Sequence, residues 1–249
     1  MSGHSKWHGI KHKKAALDKK RGKIFSKLAK ELTVAAREGG GDEEVNSRLR
    51  QAVQKAKDAN VPSDNIERAI KRGTGELPGV NYETVIYEGY SVSGVAILVE
   101  AVTDNKNRTS SEIRKIFSRY KGNLAGSGSV SWQFDKKGVM LIKSSQIEED
   151  QLMQIVLEAG AEDMITESNY YQIITDPKNY EQVRKAIEQK DIKITSAEIT
   201  MEPKSYVKVA DSEMADKILE LVDALDDHDD VQNVYANFDI PDEILQKHT

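Results

Sequence analysis

At 249 residues, with 38% apolar and 31% charged side chains, the chain is long enough for one large core or two to three compact units, and its composition excludes extended disorder. It contains no cysteine, which excludes disulfides, a thiolate nucleophile and any thiolate-ligated metal and fits a reducing compartment. The formal net charge of -5 averages two unlike regions: residues 1–37 hold 11 Lys or Arg against 2 Asp or Glu, whereas residues 38–249 hold 25 against 39.

The first residues are basic but run into no apolar stretch, so they do not read as a secretory signal. The most apolar segment, GVAILVEAV at 94–102, is interrupted by Glu100 and too short to span a bilayer. A cytoplasmic protein is expected. Over 23–37 the period is helical: Phe25, Leu28, Ala29, Leu32 and Ala36 share one sector, with Lys20, Lys23, Lys27 and Lys30 nearly opposite. EGGGD at 38–42 ends this helix, and Asp42 is expected to cap a second one whose apolar face is Leu49, Ala52, Val53 and Ala56. Pro62 turns the chain; Asp64 and Glu67, at capping-box spacing, open a short third helix that Gly73 is expected to terminate.

After Pro78 the period changes. Segments 82–90 and 94–104 are strand-like, 109–120 is helical, and SVSWQF at 129–134 returns to strand alternation, with Trp132 expected in the core. A strand at 139–144, helix at 148–158, strands at 162–167 and 170–175, helix at 179–188 and strand at 192–200 then spell β-α-β-β-α-β. What remains, a strand at 205–210, a helix at 212–225 and a strand at 231–238, completes the half left open before it. The expected fold class is therefore multidomain α/β (α+β): an N-terminal three-helix domain followed by two split-βαβ, ferredoxin-like antiparallel-sheet domains, one inserted in the other. The expected boundaries are 1–77 for the helical domain, 78–135 with 205–249 for the discontinuous domain, and 136–204 for the insertion; four units in simple series are the alternative.

The basic end is the main functional signal. Lys6, Lys11, Lys13, Lys14, Lys19, Lys20, Arg21, Lys23, Lys27 and Lys30 concentrate like charge that a polyanion would relieve by releasing counterions, and Trp7, His8 and His12 offer rings for stacking or hydrogen bonding. Lysine, a mobile point charge, suits phosphate more than base edges, so binding should depend little on sequence and steeply on salt. The bland readings are a solvated face or an acidic protein or membrane surface. His4, His8 and His12 recur every fourth residue, but six lysines between positions 6 and 20 oppose a bound dication, so no metal and no cofactor is expected.

TDNKNRTSSE at 103–112 joins a strand to a helix; Thr109 and Glu112 have capping-box spacing, and Asp104, Asn105, Asn107 and Arg108 are candidates for a second, weaker contact. GNLAGSGSVSW at 122–132 lacks the arrangement of a nucleotide loop. No chemistry is assigned to YEGY at 87–90. DALDDHDD at 223–230 reads as solvated acid or self-repelling negative surface, with a divalent-metal site, or an electrostatic role that keeps the acidic lobe off nucleic acid, as alternatives. No nucleophile, GxSxG or HExxH constellation is present, so the chain is expected not to be an enzyme; a metal-dependent phosphatase or nuclease built on Asp104 and Arg108 or Asp226 and His228 is the remote alternative.

Five segments, 3–42, 60–75 (NVPSDNIERAIKRGTG), 87–90 (YEGY), 103–109 (TDNKNRT) and 122–134 (GNLAGSGSVSWQF), closely resemble the YebC/PmpR family, whose eukaryotic relatives include a mitochondrial translational activator of cytochrome oxidase. The likeness runs essentially end to end. It implies three domains, one helical and two α/β, around a large cleft. It also implies regulation of gene expression, some members being labelled probable transcriptional regulators and others resembling translation factors on the ribosome. The residues it carries over are Lys6, Trp7, Ile10, Lys11, His12, Lys13, Lys14, Asp18, Lys20, Arg21, Phe25, Lys27 and Lys30, with Asp104, Asn105, Asn107 and Arg108 in the central loop. Glu43, where many members have Pro, and Ala125 with Gly126, where Gly-Glu is common, depart from the pattern. The lysine-rich arm favours rRNA or tRNA on the ribosome as partner, with double-stranded DNA and transcription regulation as the alternative. A monomer is assumed.

Overall fold

The structure is a computed structural model that describes residues 19–166 and 169–245. It divides into two compact units, one built from 132–206 and the other from the residues on either side. Among the described residues no helix is long and apolar enough to cross a membrane.

Three helices, α1 (Lys19–Gly39), α2 (Ser47–Asp58) and α3 (Ser63–Thr74), enclose a core of Leu32, Ala35, Ala36, Leu49, Ala52, Val53, Ala56, Ile66 and Ala69, with Phe25, Leu28 and Ala29 packed on it. The apolar stripe expected on α1 is therefore the buried one. The helix ends are set differently from the expectation. Asn46, not Asp42, caps α2: its Oδ1 accepts from the Leu49 amide at 3.0 Å, while its Nδ2 donates to the Ala35 and Gly40 carbonyls at 2.8 and 2.7 Å. One buried amide thus closes α1 and opens α2, which a carboxylate, lacking a donor, cannot do. Asp42 instead accepts from the Glu44 amide.

Pro62 precedes α3 without a side-chain cap, and Glu67 pairs with Lys71. The terminating glycine is Gly75, at φ +85°, rather than Gly73. Gly73 lies inside α3 where it crosses α1; a Cβ there would sit 2.4 Å from the Thr33 carbonyl oxygen and 2.7 Å from the Ala36 methyl. Alanine gains about 1 kcal/mol of helix propensity, but the obstructing atom is helix backbone that cannot swing away, and overpacking costs about 1–3 kcal/mol. Gly73→Ala should lower stability by up to about 2 kcal/mol, seen as a lower urea midpoint with an unchanged slope.

In the same unit, β1 (Glu83–Tyr90), β2 (Ala96–Thr103), β3 (Asn123–Leu124) and β9 (Val231–Ala236) form an antiparallel sheet in the order β3-β1-β2-β9. Helices α4 (Lys106–Arg119) and α7 (Ser212–Asp226) cover one face, burying Ile113, Phe117, Ile218, Leu221 and Leu225 against Ile97, Val99 and Ala101. The expected strand at 205–210 shrinks to β8 (Val207–Lys208), paired in parallel with β10 (Phe238–Asp239) outside the main sheet. Its place is lost because β9 leaves the sheet at Asn237, whose side chain accepts from the Ala96 amide at 2.8 Å and whose carbonyl accepts from the Val207 amide at 2.7 Å. Helix α8 (Asp242–Leu245) follows.

YEGY is the joint of this unit. A Cβ on Gly89 would lie 2.6 Å from both the Phe117 ring and the Asn123 carbonyl, so glycine lets α4 close on β1. Glu88, though on a strand, is buried and accepts from the amides of Gly128 (2.7 Å), Val130 (2.7 Å) and Ser131 (2.8 Å); the Tyr90 hydroxyl donates to the Ser129 carbonyl at 2.8 Å. Amides turned into a carboxylate cannot also serve a ladder, so the strand expected at 129–134 is replaced by a short 3-10 turn, Ser131–Gln133. Trp132 on that turn is 66% exposed rather than in the core.

The inserted unit runs β4 (Phe134–Lys143), α5 (Glu149–Glu158), β5 (Ala161–Thr166), β6 (Tyr170–Thr175), α6 (Tyr180–Glu188) and β7 (Ile194–Pro203), with an antiparallel sheet in the order β5-β6-β4-β7. Met140, Ile142, Tyr171 and Ile173 project to the helix side and bury Leu152, Val156, Val183 and Ile187. Its own groove, about 980 Å³ between α5 and α6, has Ile147, Ile155 and Ile192 among its lining and contains none of the expected site residues.

Candidate nucleic-acid interface

Of the basic residues singled out above, Lys6, Trp7, His8, Lys11, His12, Lys13 and Lys14 lie outside the described residues. Lys19, Lys20 and Arg21 open α1. Lys23, Lys27 and Lys30 follow at helical spacing along one side of α1, a stripe about 10 Å long at 1.5 Å per residue.

This stripe meets the acidic end of α7. Lys23 Nζ donates to the Asp227 carbonyl and pairs with Asp229 Oδ1 at 3.3 Å. Lys27 Nζ donates to the Asp226 carbonyl at 2.5 Å and stands 3.8 Å from Asp226 Oδ1. Lys30 Nζ donates to Asp230 Oδ1 at 2.6 Å and to the Asp229 carbonyl at 3.0 Å, and lies 5.7 Å from the centre of the Tyr82 ring. The carbonyls at the end of a helix carry its negative pole, so the lysines satisfy backbone and carboxylates together. The segment expected to be solvated acid is instead, in good part, the counter-surface of α1. Solvent access falls along the stripe: the side chains of Lys23 and Asp229 are 45% and 76% exposed, those of Lys30 and Asp230 only 16% and 5%.

Asp230 is the hub. Besides Lys30, its Oδ2 accepts from Arg108 at 2.7 Å, from the Thr109 hydroxyl at 2.7 Å and from the Thr103 hydroxyl at 3.2 Å, both threonines being fully buried. Burial pushes the carboxyl toward its neutral form, but hydrogen bonds from Lys30, Thr109 and Arg108, with the charge of Lys30, outweigh burial and hold it well below the usual carboxylate range.

The central loop serves this hub. Asn105 caps α4 by accepting from the Arg108 amide at 3.1 Å, so the helix begins earlier than the Thr109 capping box implied, and Thr109 is spent on Asp230. Arg108 bridges Asp104 at 2.9 Å and Asp230; hydrogen bonding to Asp230 raises its pKa. The Asn107 carbonyl accepts from Ser111. Glu112 meets His228 Nε2 at 2.9 Å, and His228 Nδ1 lies 3.1 Å from the Asp230 amide. Since Nδ1 accepts that amide, Nε2 carries the ring proton and donates to Glu112.

Glu112, His228 and Asp230 bring ligand atoms within 4.8 Å of one another. Each is already committed to a hydrogen bond, and Lys30 and Arg108 supply the positive charge that an ion would bring. An open cleft of about 620 Å³ adjoins them, with Lys23, Lys30, Tyr82, Arg108 and Asp229 on its wall. The structure thus joins the two sets of candidates, the α1 lysines and the central loop, through Asp230. Sequence reasoning missed Asp230, Thr103 and Glu88 as organising residues; the one available signal was the clustering of aspartates at 223–230.

Comparison with known proteins matches residues 5–76 to the family model described as the TACO1/YebC protein N-terminal domain and residues 82–238 to that of the TACO1/YebC second and third domain. A protein of Halothermothrix orenii named "Probable transcriptional regulatory protein" is 59% identical over 251 residues, covering 100% of this chain and 99% of its own. One of the same name from Natranaerobius thermophilus is 57% identical over 249 residues, covering 99% of each. A crystal structure of a conserved hypothetical protein from Aquifex aeolicus superimposes with a TM-score of 0.83 at 48% identity, covering 95% of this chain and 98% of that one. With both family models matched and this identity sustained along the whole chain, the protein belongs to the YebC/PmpR (TACO1/YebC) family.

Proposed function

We propose that the chain is a cytoplasmic, non-enzymatic regulator of gene expression that binds nucleic acid through its lysine-rich N-terminal arm and the start of α1, acting on rRNA or tRNA at the ribosome. The observation that carries this reading is the segregation of charge, 11 basic against 2 acidic residues in 1–37. Such a segment gains by counterion release on a phosphate-dense surface, while the acidic remainder is pushed away from it. The reading gives Lys6, Lys11, Lys13, Lys14, Lys19, Lys20 and Arg21 to backbone phosphates and Trp7, His8 and His12 to stacking or hydrogen bonding. The loop at 104–108 acts mainly by fixing α1 through Asp230 and forms at most a secondary contact. Any effect on translation arises from stabilising a productive RNA geometry.

A second reading, a DNA-binding transcriptional regulator, is favoured by the relatives' name, "Probable transcriptional regulatory protein". K6E/K11E/K13E/K14E removes arm charge without touching the described ion pairs and should abolish co-sedimentation with ribosomes at low salt; undiminished co-sedimentation would refute the arm as the contact. Crosslinking in cells with sequencing of bound RNA and DNA separates the two readings: footprints on rRNA or tRNA support translation, whereas enrichment at promoters that survives RNase supports transcription.

A further inference from the structure

We propose that the acidic segment 226–230 is an intramolecular latch that occupies the lysine stripe of α1 in place of a polyanion, so that Lys23 and Lys27 become phosphate contacts only when this segment is displaced. The inference rests on the nucleic-acid reading above and divides its lysines into two classes, those of the arm and those guarded by the chain's own aspartates.

The geometry is that of a surrogate phosphodiester backbone. Within five residues, carboxylates of Asp226, Asp229 and Asp230 and carbonyls of Asp226, Asp227 and Asp229 reach three lysines spaced along one helix face. Carboxylate and carbonyl oxygens together therefore already occupy the lysine stripe that a strand tracking α1 would use. The contact is also graded. The Lys23 pair is largely exposed and of the kind that salt screens; Lys27 is as enclosed as Lys30, but its partner Asp226, at 26% side-chain exposure, lies between Asp229 and Asp230 in access to water, and Lys30 is held in the Asp230 hub. A competing polyanion would peel the segment from the Lys23 end, while Lys30, Asp230 and Arg108 keep α1 attached to the sheet.

The stripe and the segment are about 200 residues apart in sequence, Lys27 and Asp226 being 199 residues apart. Closure therefore reports a folded α/β unit, and the latch leaves α1 fully basic only while it is open.

The test is binding of full-length protein to a fluorescent 20-nucleotide oligo(U) as a function of salt. D226N/D227N/D229N leaves Asp230 and the backbone carbonyls in place and removes the carboxylate charge, so that only neutral carbonyls compete with phosphate for Lys23 and Lys27; E44Q/E220Q/E243Q removes the same charge from exposed positions elsewhere. Each phosphate neutralised on a single strand adds about 0.7 to the slope of log K against log salt, so two released lysines steepen it by about 1.4 and tighten binding about 25-fold at 0.1 M salt. The latch variant should show this change and the control should keep the wild-type slope. Adding K23Q/K27Q to the latch variant should restore the wild-type slope, whereas K23Q/K27Q alone should change affinity less than 2-fold. Thermal melts of all variants establish that they are folded. Equal slopes for latch variant and control, or no response of the latch variant to K23Q/K27Q, overturn the latch alone. Failure of every protein to bind RNA or a DNA strand of the same length overturns the nucleic-acid reading and the latch with it.

Discussion

Asp230→Asn should cost the protein about 3 kcal/mol of unfolding free energy, the range expected when one member of a buried, hydrogen-bonded ion cluster is removed. The carboxylate accepts on both oxygens, Lys30 on Oδ1 and Arg108, Thr109 and Thr103 on Oδ2. A carboxamide has one acceptor, so whichever way it turns, its NH2 group faces a cation or a hydroxyl that has lost its partner. Lys30 and Arg108 keep some access to water, at 16% and 44% side-chain exposure, which limits the penalty to the lower end of the range for fully buried pairs.

The pH dependence has a fixed sign. The folded-state pKa of Asp230 is depressed, so its contribution is fully present above the unfolded-state value near 4 and is lost as pH falls through the folded value. Urea titrations of wild type and variant should therefore differ by a constant amount from pH 7 to 5 and converge at more acid pH. A difference below about 1 kcal/mol at pH 7 would place Asp230 among ordinary surface pairs.

Glu88→Gln should be the second large effect, about 2–3 kcal/mol, because hydrogen bonds to a charged acceptor contribute more than neutral ones and a buried donor left unmatched bears its desolvation cost. Glutamine can still receive the Val130 and Ser131 amides on one oxygen, but its NH2 then confronts the Gly128 amide, now held at 2.7 Å from Oε1. Burial raises the Glu88 pKa and the three backbone amides lower it, with a net depression, so this contribution too is present above about pH 4.3 and fades in acid. Hydrogen exchange should show Gly128, Val130 and Ser131 losing protection while the helical core around Leu49 and Ile66 is unchanged. Retained protection at those three amides would contradict the assignment.

The fold class was legible because it rests on periodicity. Phe25, Leu28, Ala29 and Leu32 lie on the buried face that their spacing predicted, and the β-α-β-β-α-β order of the insertion follows from alternation and helical spacing in turn. Caps were misplaced where a local rule had two candidates: Asp42 and Thr109 fit a template, but Asn46 and Asn105 had the geometry. Trp132 was misassigned because strand alternation cannot register a distant carboxylate that draws the neighbouring amides out of a ladder. The same blindness hid the meaning of 223–230. Summing charge by segment revealed a basic end and an acidic end, yet Lys30 and Asp230 are 200 residues apart and no local pattern couples them.

The sheet order has a consequence for synthesis. Strand β2 pairs with β9 from Ile97 opposite Ala236 to Ala101 opposite Val231, so one edge of a strand made early waits for residues made 130 to 139 positions later. The insertion, whose strands all fall between 134 and 203, has every partner it needs before then. During translation it should mature first, with the apolar edge at 96–103 unsatisfied until the last tenth of the chain emerges, which makes that interval the period in which nascent chains are most prone to chaperone capture or misassembly.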